Sequence, residues 1–455
     1  MIEDLSAIVG PRYVLTGADT DKWGRDWTGA YVAQPLAVVR PADTAEVAAV
    51  MAFAHAASLP VVPVSGNTGL NGGAHGDNAI VLSLDRLNSI ETIDVAGRSA
   101  TVGAGVVLTQ LHDAVAAHDL IFPMTFGARG SAMVGGILST NAGGSNVVRY
   151  GNTRDLVLGI EVVMADGRIM DLMTALHKDN SGLNLRHLMI GAEGTLGIIT
   201  RAIVKLFPKP AAYATATVAV PTLTDALALL HRIQAVTGGA VEAFEYMPAA
   251  YIAGHLAVVA GAKPPFAKAH DVNLLIEVGE DADRLTTLLA EMLEADQVLD
   301  AVIAQNEAQR QDMWARREAA AEITFHRRPF VDTDVAVALP MVERFLTEAR
   351  ARLTELDPEA DDLSVAHLGD GNIHYTAYPS RDDPALKDAI KEMVEDVVTE
   401  LRGSFSAEHG VGISKLKTMA RRKDPVALDT MRAIKAALDP KGILNPGKLY
   451  PPKRA

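Results

Sequence analysis

The sequence predicts an α+β protein of more than one domain, and three observations predict it. Glycine crowds into Ser65–Gly76, Gly103–Gly105, Gly127–Gly144 and Gly182–Gly197, and these patches alternate with short β-branched runs. Segments of helical period lie between the runs. At Lys205–Pro210 the character changes, and the rest of the chain is poorer in glycine. Short strands joined through glycine-rich turns, with helices interspersed, read as α+β.

Taken in order, strands are expected at Leu36–Arg40, Val61–Val64, Ile80–Leu84, Ser99–Val102, Val157–Met164 and Gly197–Phe207. Asp43-Thr44 is a cap signal with Glu46 in the first turn, so Thr44–Ser58 is expected as a helix, and Val107–His118 as another. Past Pro210 come a strand at Ala212–Val220, an amphipathic helix at Thr222–Gly238, and strands at Val241–Tyr246 and Val272–Val278. Helices follow at Ala282–Glu294 and, longer and more charged, at Ala304–Glu322. From about Arg402 the chain reads as helices ending in Leu444-Asn445-Pro446-Gly447-Lys448. The expected domains are 1–210 and 211–400, with a C-terminal segment 401–455.

Composition narrows the chemistry. A net charge of -14 disfavours nucleic acid and anionic membrane surfaces as partners. The absence of cysteine removes disulfides, zinc–thiolate sites, iron–sulfur clusters and cysteine nucleophiles, so any metal needs His, Asp, Glu or backbone oxygen. The first residues do not read as a signal peptide, and no apolar run is long enough to span a bilayer. A cytoplasmic protein without integral membrane association is expected.

The sharpest N-terminal string is Pro63-Val64-Ser65-Gly66-Asn67-Thr68-Gly69-Leu70-Asn71-Gly72-Gly73. Glycines let successive N–H groups close on a ligand, and such a turn makes an anion-binding concavity for which a pyrophosphate is the natural guest. It is neither a P-loop nor a Rossmann fingerprint. Alone it would more often be just a turn. It is not alone: Gly127, Ser131, Gly135, Gly136, Ser139, Thr140, Asn141, Gly143 and Gly144 form a second such loop, and Glu193, Gly194, Gly197, Ile198 and Ile199 a third that runs into a strand.

Two further strings follow residue 360: His367-Leu368-Gly369-Asp370-Gly371-Asn372-Ile373-His374 and Ser406-Ala407-Glu408-His409-Gly410. A lone histidine is usually structural. Two imidazoles plus a carboxylate are a usable divalent-metal set with positions left open. A turn at Gly369–Gly371 could bring His367 and His374 to one side.

Together these strings resemble the FAD-linked D-2-hydroxyacid dehydrogenases, whose N-terminal domain is the two-lobed FAD-binding fold of the vanillyl-alcohol-oxidase (PCMH) type and whose C-terminal part is the FAD-linked oxidase substrate or cap domain. The likeness also takes in Asn141–Gly144 and Arg149-Tyr150-Gly151, and it runs over nearly the whole chain. It implies non-covalent FAD, since no Cys is present and no His follows Ser65-Gly66 within the loop. The flavin would lie along the three glycine-rich segments, with Asn445 and Lys448 returning to it. It implies a metal on His367, His374 and Glu408, zinc first and manganese or iron as alternatives. His409 would be the base, Asn372 would help hold substrate, and Arg317 of Trp314-Ala315-Arg316-Arg317-Glu318 would pair with substrate carboxylate. The expected activity is oxidation of a D-2-hydroxy acid to the 2-keto acid, with hydride passing to the flavin. The rivals are an oxidase of the same fold that uses oxygen, an enzyme specific for D-2-hydroxyglutarate, and a non-catalytic binding protein. Ala321 and Asp332 stand where hydroxyglutarate enzymes carry Thr and Lys, so a second substrate carboxylate is disfavoured. The electron acceptor (an electron-transfer flavoprotein, a quinone or a cytochrome) and a homodimeric state stay open.

Overall fold

The computed structural model describes residues 1–452, and the chain divides into two units. The first comprises Met1–Gly143, Gly151–Lys209 and the chain from Glu408 onward; the second comprises Gly144–Tyr150 and Pro210–Ala407.

In the first unit the helix Thr44–Ala57 forms as its cap predicts. Asp43 accepts from Glu46 N at 2.9 Å, and Ser58 ends the helix in the left-handed conformation. Val47, Val50, Met51 and Ala54 recur at helical spacing and are fully buried against Val39, Ile80 and Leu82. Burial of each larger side chain contributes about 1.5–3 kcal/mol over exposure. The strands beneath run in the order Val14–Leu15, Ala37–Val39, Ile80–Ser83, Val61–Val64, the last three parallel. The C-terminal segment extends this sheet: Val61 N donates to Ile443 O and Asn445 N to Val61 O, each at 2.8 Å. A second, antiparallel sheet has the order Ile90–Asp94, Ser99–Gly103, Ile198–Lys205, Val157–Val163, Ile169–Leu172.

The second unit is built on one antiparallel seven-stranded sheet. Its order is Asp300–Ile303, Ala214–Val220, Val272–Val278, Val241–Pro248, Asp361–His367, Asn372–Tyr378, Val331–Ala336. Period-two alternation sorts its faces. Phe244, Tyr246, Ala366, Ile373, Tyr375 and Val335 face the main core, with the helices Leu223–Val236, Asp283–Glu294, Val342–Leu356 and Pro384–Glu400. Glu245, Met247, Val365, His367, Asn372, His374 and Asp334 share the opposite face by register. There Met247, Leu275 and Val365 pack with Tyr251, Met313 and Ile323 from the helices Ala249–Val258, Glu307–Glu318 and Ala320–His326.

The structure differs from the sequence expectations in three places. The stretch Ala304–Glu322 is two helices, because Asn306 caps Glu307–Glu318 through Gln309 N at 3.0 Å and Ala319 ends it. Residues 401–407 stay with the second unit, since Ser404 and Ala336 exchange backbone bonds at 2.7 and 2.9 Å. Gly144–Tyr150 also belongs there: buried Glu242 receives Arg149 at 2.5 Å and Tyr150 at 2.9 Å. Among the described residues no helix is long and apolar enough to cross a membrane.

Candidate functional site

Backbone geometry in the first unit is that of an anion cradle. No N–H from Gly66 to Gly73 finds an acceptor among the described residues. Peptide N–H groups bared in succession suit a pyrophosphate. Gly66 is obligatory here, because a Cβ would strike the carbonyl of Ser131. Asn445 is buried, donates to Gly73 O at 3.0 Å and Glu193 O at 2.7 Å, and keeps its Oδ1 without a donor. Lys448, also buried, donates to His75 O at 2.6 Å. Burial pushes its ammonium down to about 8, against a smaller upward pull from Asp77. Unspent N–H donors, an orphaned amide oxygen acceptor and a buried cation together fit a dinucleotide such as FAD.

Other residues of the glycine-rich strings have structural work. Ser139 and Thr140 back-bond to Gly135 O at 2.7 Å and Gly136 O at 3.1 Å. Asn141 ends the helix Val134–Thr140 in the left-handed conformation and accepts from Arg154 N at 2.9 Å. Ile198 and Ile199 are sheet core. Both carboxylate oxygens of Glu193 accept backbone N–H groups of the loop after His409, from Val411 at 2.7 Å and Gly412 at 2.8 Å.

The catalytic residue types expected in the second unit meet around Glu245, a fully buried acid that sequence reading passed over. His367 Nδ1 lies 2.8 Å from Glu245 Oε2, and Arg317 Nε lies 2.9 Å from the same oxygen as an ion pair. Burial pushes the Glu245 carboxyl up, but His367 and then Arg317 outweigh it and hold it below the usual carboxylate range. An ionised carboxylate only accepts, so it selects the Nδ1–H tautomer of His367 and leaves Nε2 as that ring's acceptor. Arg317 Nη2 is buried and has no acceptor among the described residues.

The turn at Gly369–Gly371 closes a hairpin in which His367 opposes Asn372 and Val365 opposes His374. Gly371, at φ 83°, donates to His367 O at 3.1 Å. His367 and His374 come to one face with ring centroids 5.4 Å apart. Asn372 donates to Asp334 Oδ1 at 2.9 Å and Val335 O at 3.1 Å, while its own Oδ1 is buried without a donor. His374 Nδ1 lies 4.0 Å from Asp334, which is 2% exposed. Ala407 N is 3.4 Å from Asp334 O, and the next two residues of the chain are Glu408 and His409. Asp334, His367 and His374 thus share one face of this sheet, residue types with the chemistry of a divalent-cation site. Asp334 was not among the ligands expected from the sequence.

These two units, a glycine-lined anion cradle and a seven-stranded sheet bearing a His/Asp/Glu cluster, define a flavoprotein of two-domain architecture. The comparisons agree: the description "FAD binding domain" matches residues 35–173, and "FAD linked oxidases, C-terminal domain" matches 209–449. The chain belongs to the FAD-linked oxidase family, and its relatives there are named D-2-hydroxyglutarate dehydrogenases and a putative D-lactate dehydrogenase. It is 37% identical to the D-2-hydroxyglutarate dehydrogenase of Xanthomonas citri pv. viticola, over 98% of this chain and 95% of that one. It is 34% identical to the mitochondrial D-2-hydroxyglutarate dehydrogenase of Bos taurus, over 99% and 84%. A solved p-cresol methylhydroxylase has the same fold, with TM-score 0.76 at 17% identity over 98% of this chain and 95% of that one.

Proposed function

We propose that the chain is an FAD-dependent dehydrogenase that oxidises D-2-hydroxy acids to 2-keto acids. The observation that carries the substrate reading is Arg317, a buried guanidinium with Nη2 unspent beside the face that bears His367, His374 and Asp334. A buried donor without an acceptor costs free energy until an anion joins it, and a carboxylate matches the guanidinium fork. His374 and Glu408 would hold a divalent ion, with Asp334 or His367 completing the set, and zinc suits it. When bound, FAD supplies the hydride acceptor and the ion supplies Lewis acidity at the substrate hydroxyl. Arg317 takes the carboxylate, the bare Oδ1 of Asn372 accepts from the substrate, and His409 takes the hydroxyl proton.

The relatives' names favour D-2-hydroxyglutarate; the residues on the sheet face favour a monocarboxylate. Asp332 lies on that face by register and accepts from Thr376 at 2.8 Å, and Arg327 is paired with Asp361 at 2.8 Å. An acid at 332 repels a second carboxylate. Anaerobic titration with D- and L-2-hydroxy acids tests both levels. A D-acid is expected to bleach the flavin, and a chelator to abolish bleaching. Flavin that no hydroxy acid reduces overturns the whole reading. A kcat/KM for D-2-hydroxyglutarate more than about tenfold above that for D-lactate, roughly 1.4 kcal/mol, overturns only the monocarboxylate.

Lys448 gives a pH prediction. Its pKa in the flavin-free protein is about 8, and an anion bound beside it favours the charged form and raises that value. FAD affinity is therefore full below about pH 8 and weakens above it, by at most about tenfold per pH unit for one proton. Titration of flavin-free protein with FAD at about pH 7 and pH 9 checks this. Lys448→Met should bind more weakly and without the pH dependence. Equal wild-type affinity at both pH values sinks the contact.

A further inference from the structure

The loop that carries His409 is irregular between Glu408 and Lys415 and has no strand or helix to fix it. It is fixed from outside by two side chains. Asn71 Nδ2 donates to His409 O at 2.9 Å and Gly410 O at 2.7 Å. Ser414 Oγ donates to Asn71 Oδ1 at 2.8 Å, and Ile413 N and Ser414 N donate to Asn71 O at 2.8 and 3.2 Å. On the other side Glu193 holds the N–H groups of Val411 and Gly412. The approach is so close that Gly412, at φ 51°, has no room for a Cβ against the Asn71 carbonyl. A Cβ at Gly410, at φ 74°, would stand 2.9 Å from the Glu193 carboxylate.

Glu193 is itself pinned. Glu193 sits at φ 52°, a region costly for a residue with a side chain. Its N–H donates to Ser139 O at 2.8 Å, and its carbonyl accepts from Asn445 at 2.7 Å. The residue is 9% exposed, and the two loop N–H groups satisfy carboxylate lone pairs that burial would leave bare. A strained backbone and a buried acid, both directed at one short loop, cost more than packing requires. What they secure is the main-chain position of the residue between Glu408 and Gly410.

We infer that Asn71 and Glu193 are positioning residues for His409, setting the backbone on both sides of the imidazole so that its nitrogen meets the substrate hydroxyl proton. This rests on the reading of His409 as the base. In this role both side chains act on the loop backbone. Proton abstraction needs heavy atoms within hydrogen-bond reach, and a shift of about 1 Å can cost about 100-fold in rate.

The test is single-turnover reduction of the holoenzyme flavin by a responding D-2-hydroxy acid. The proteins compared are wild type, Asn71→Ala, Asn71→Asp, Glu193→Gln, His409→Asn and the Asn71→Ala/His409→Asn double variant. Asn71→Ala should keep its flavin and its substrate dissociation constant, while the limiting rate falls about 30–100-fold. Asn71→Asp keeps the acceptor for Ser414 but loses both donors, so it should behave like Asn71→Ala. Glu193→Gln loses one of two acceptors and should fall about tenfold. The double variant should be no slower than His409→Asn, because residues that act through one group are not additive. If Asn71→Ala costs the same factor with or without His409, its role is general to the fold and the inference falls. If the Asn71 and Glu193 variants reduce at the wild-type rate while His409→Asn is slow, the inference falls and the base reading stands. If His409→Asn itself is fast, the base reading falls and takes the clamp with it. Should Asn71→Ala fail to fold, the near-isosteric Glu193→Gln carries the same comparison.

Discussion

Glu245→Gln is expected to lower the unfolding free energy by about 3–5 kcal/mol, the usual cost of leaving a buried charge without its counter-ion. The carboxylate has no exposed surface and serves two partners, Arg317 and His367. Glutamine keeps the shape but not the charge. Arg317 stays ionised in any folded protein, so its charge would be stranded at 7% exposure. Denaturant melting of the variant checks the loss. A Glu245→Leu/Arg317→Met double variant separates charge from shape. It should recover much of the stability, because an apolar pair of similar volume often replaces a buried ion pair without penalty. Activity should not return, since the carboxylate anchor and the lock on His367 are both gone. A Glu245→Gln protein as stable as wild type would show that water or a relaxed Arg317 already screens this charge.

Both residues lie where sequence reading has least purchase. In Val241-Glu242-Ala243-Phe244-Glu245-Tyr246-Met247 the alternation is plain, and it names Glu245 as belonging to the opposite side from Phe244. It does not say that side is covered. Only the helices Ala249–Val258 and Glu307–Glu318, folded over the second face, bury it. The strands Val331–Ala336, Asp361–His367 and Asn372–Tyr378 were illegible for a related reason. Their site face holds Asp332, Asp334, His367, Asn372 and His374, which break the β-branched pattern that marks a strand. What did read through were features that demand particular residue types locally. Asp43 announced a helix start, the Gly66–Gly73 string announced bared N–H groups, and His367 to His374 announced a tight turn between two ligand candidates. The Asn71–His409 bond joins residues 338 apart, and no local rule reaches that far. Glycines at 410 and 412 are the visible trace of it, since they mark close backbone approach.

His409→Asn is expected to slow flavin reduction by about 1,000-fold, within the range of about 100 to 10,000 assigned to a positioned general base. Three imidazoles compete for that role. His367 spends Nδ1 on buried Glu245, and His374 stands beside buried Asp334. The His409 ring lies 3.9 Å from the Glu408 carboxylate on its own loop, and its side chain is 25% exposed. That exposure suits it to exchange a proton with substrate and then with solvent. Asparagine can replace an imidazole as a hydrogen-bond partner but cannot take up the proton. Flavin content and melting should therefore be unchanged, while kcat and kcat/KM fall together, the signature of an interaction made only in the transition state. A rise in KM at constant kcat would instead make His409 a substrate contact, and a loss below about tenfold would hand the proton to His367 or His374.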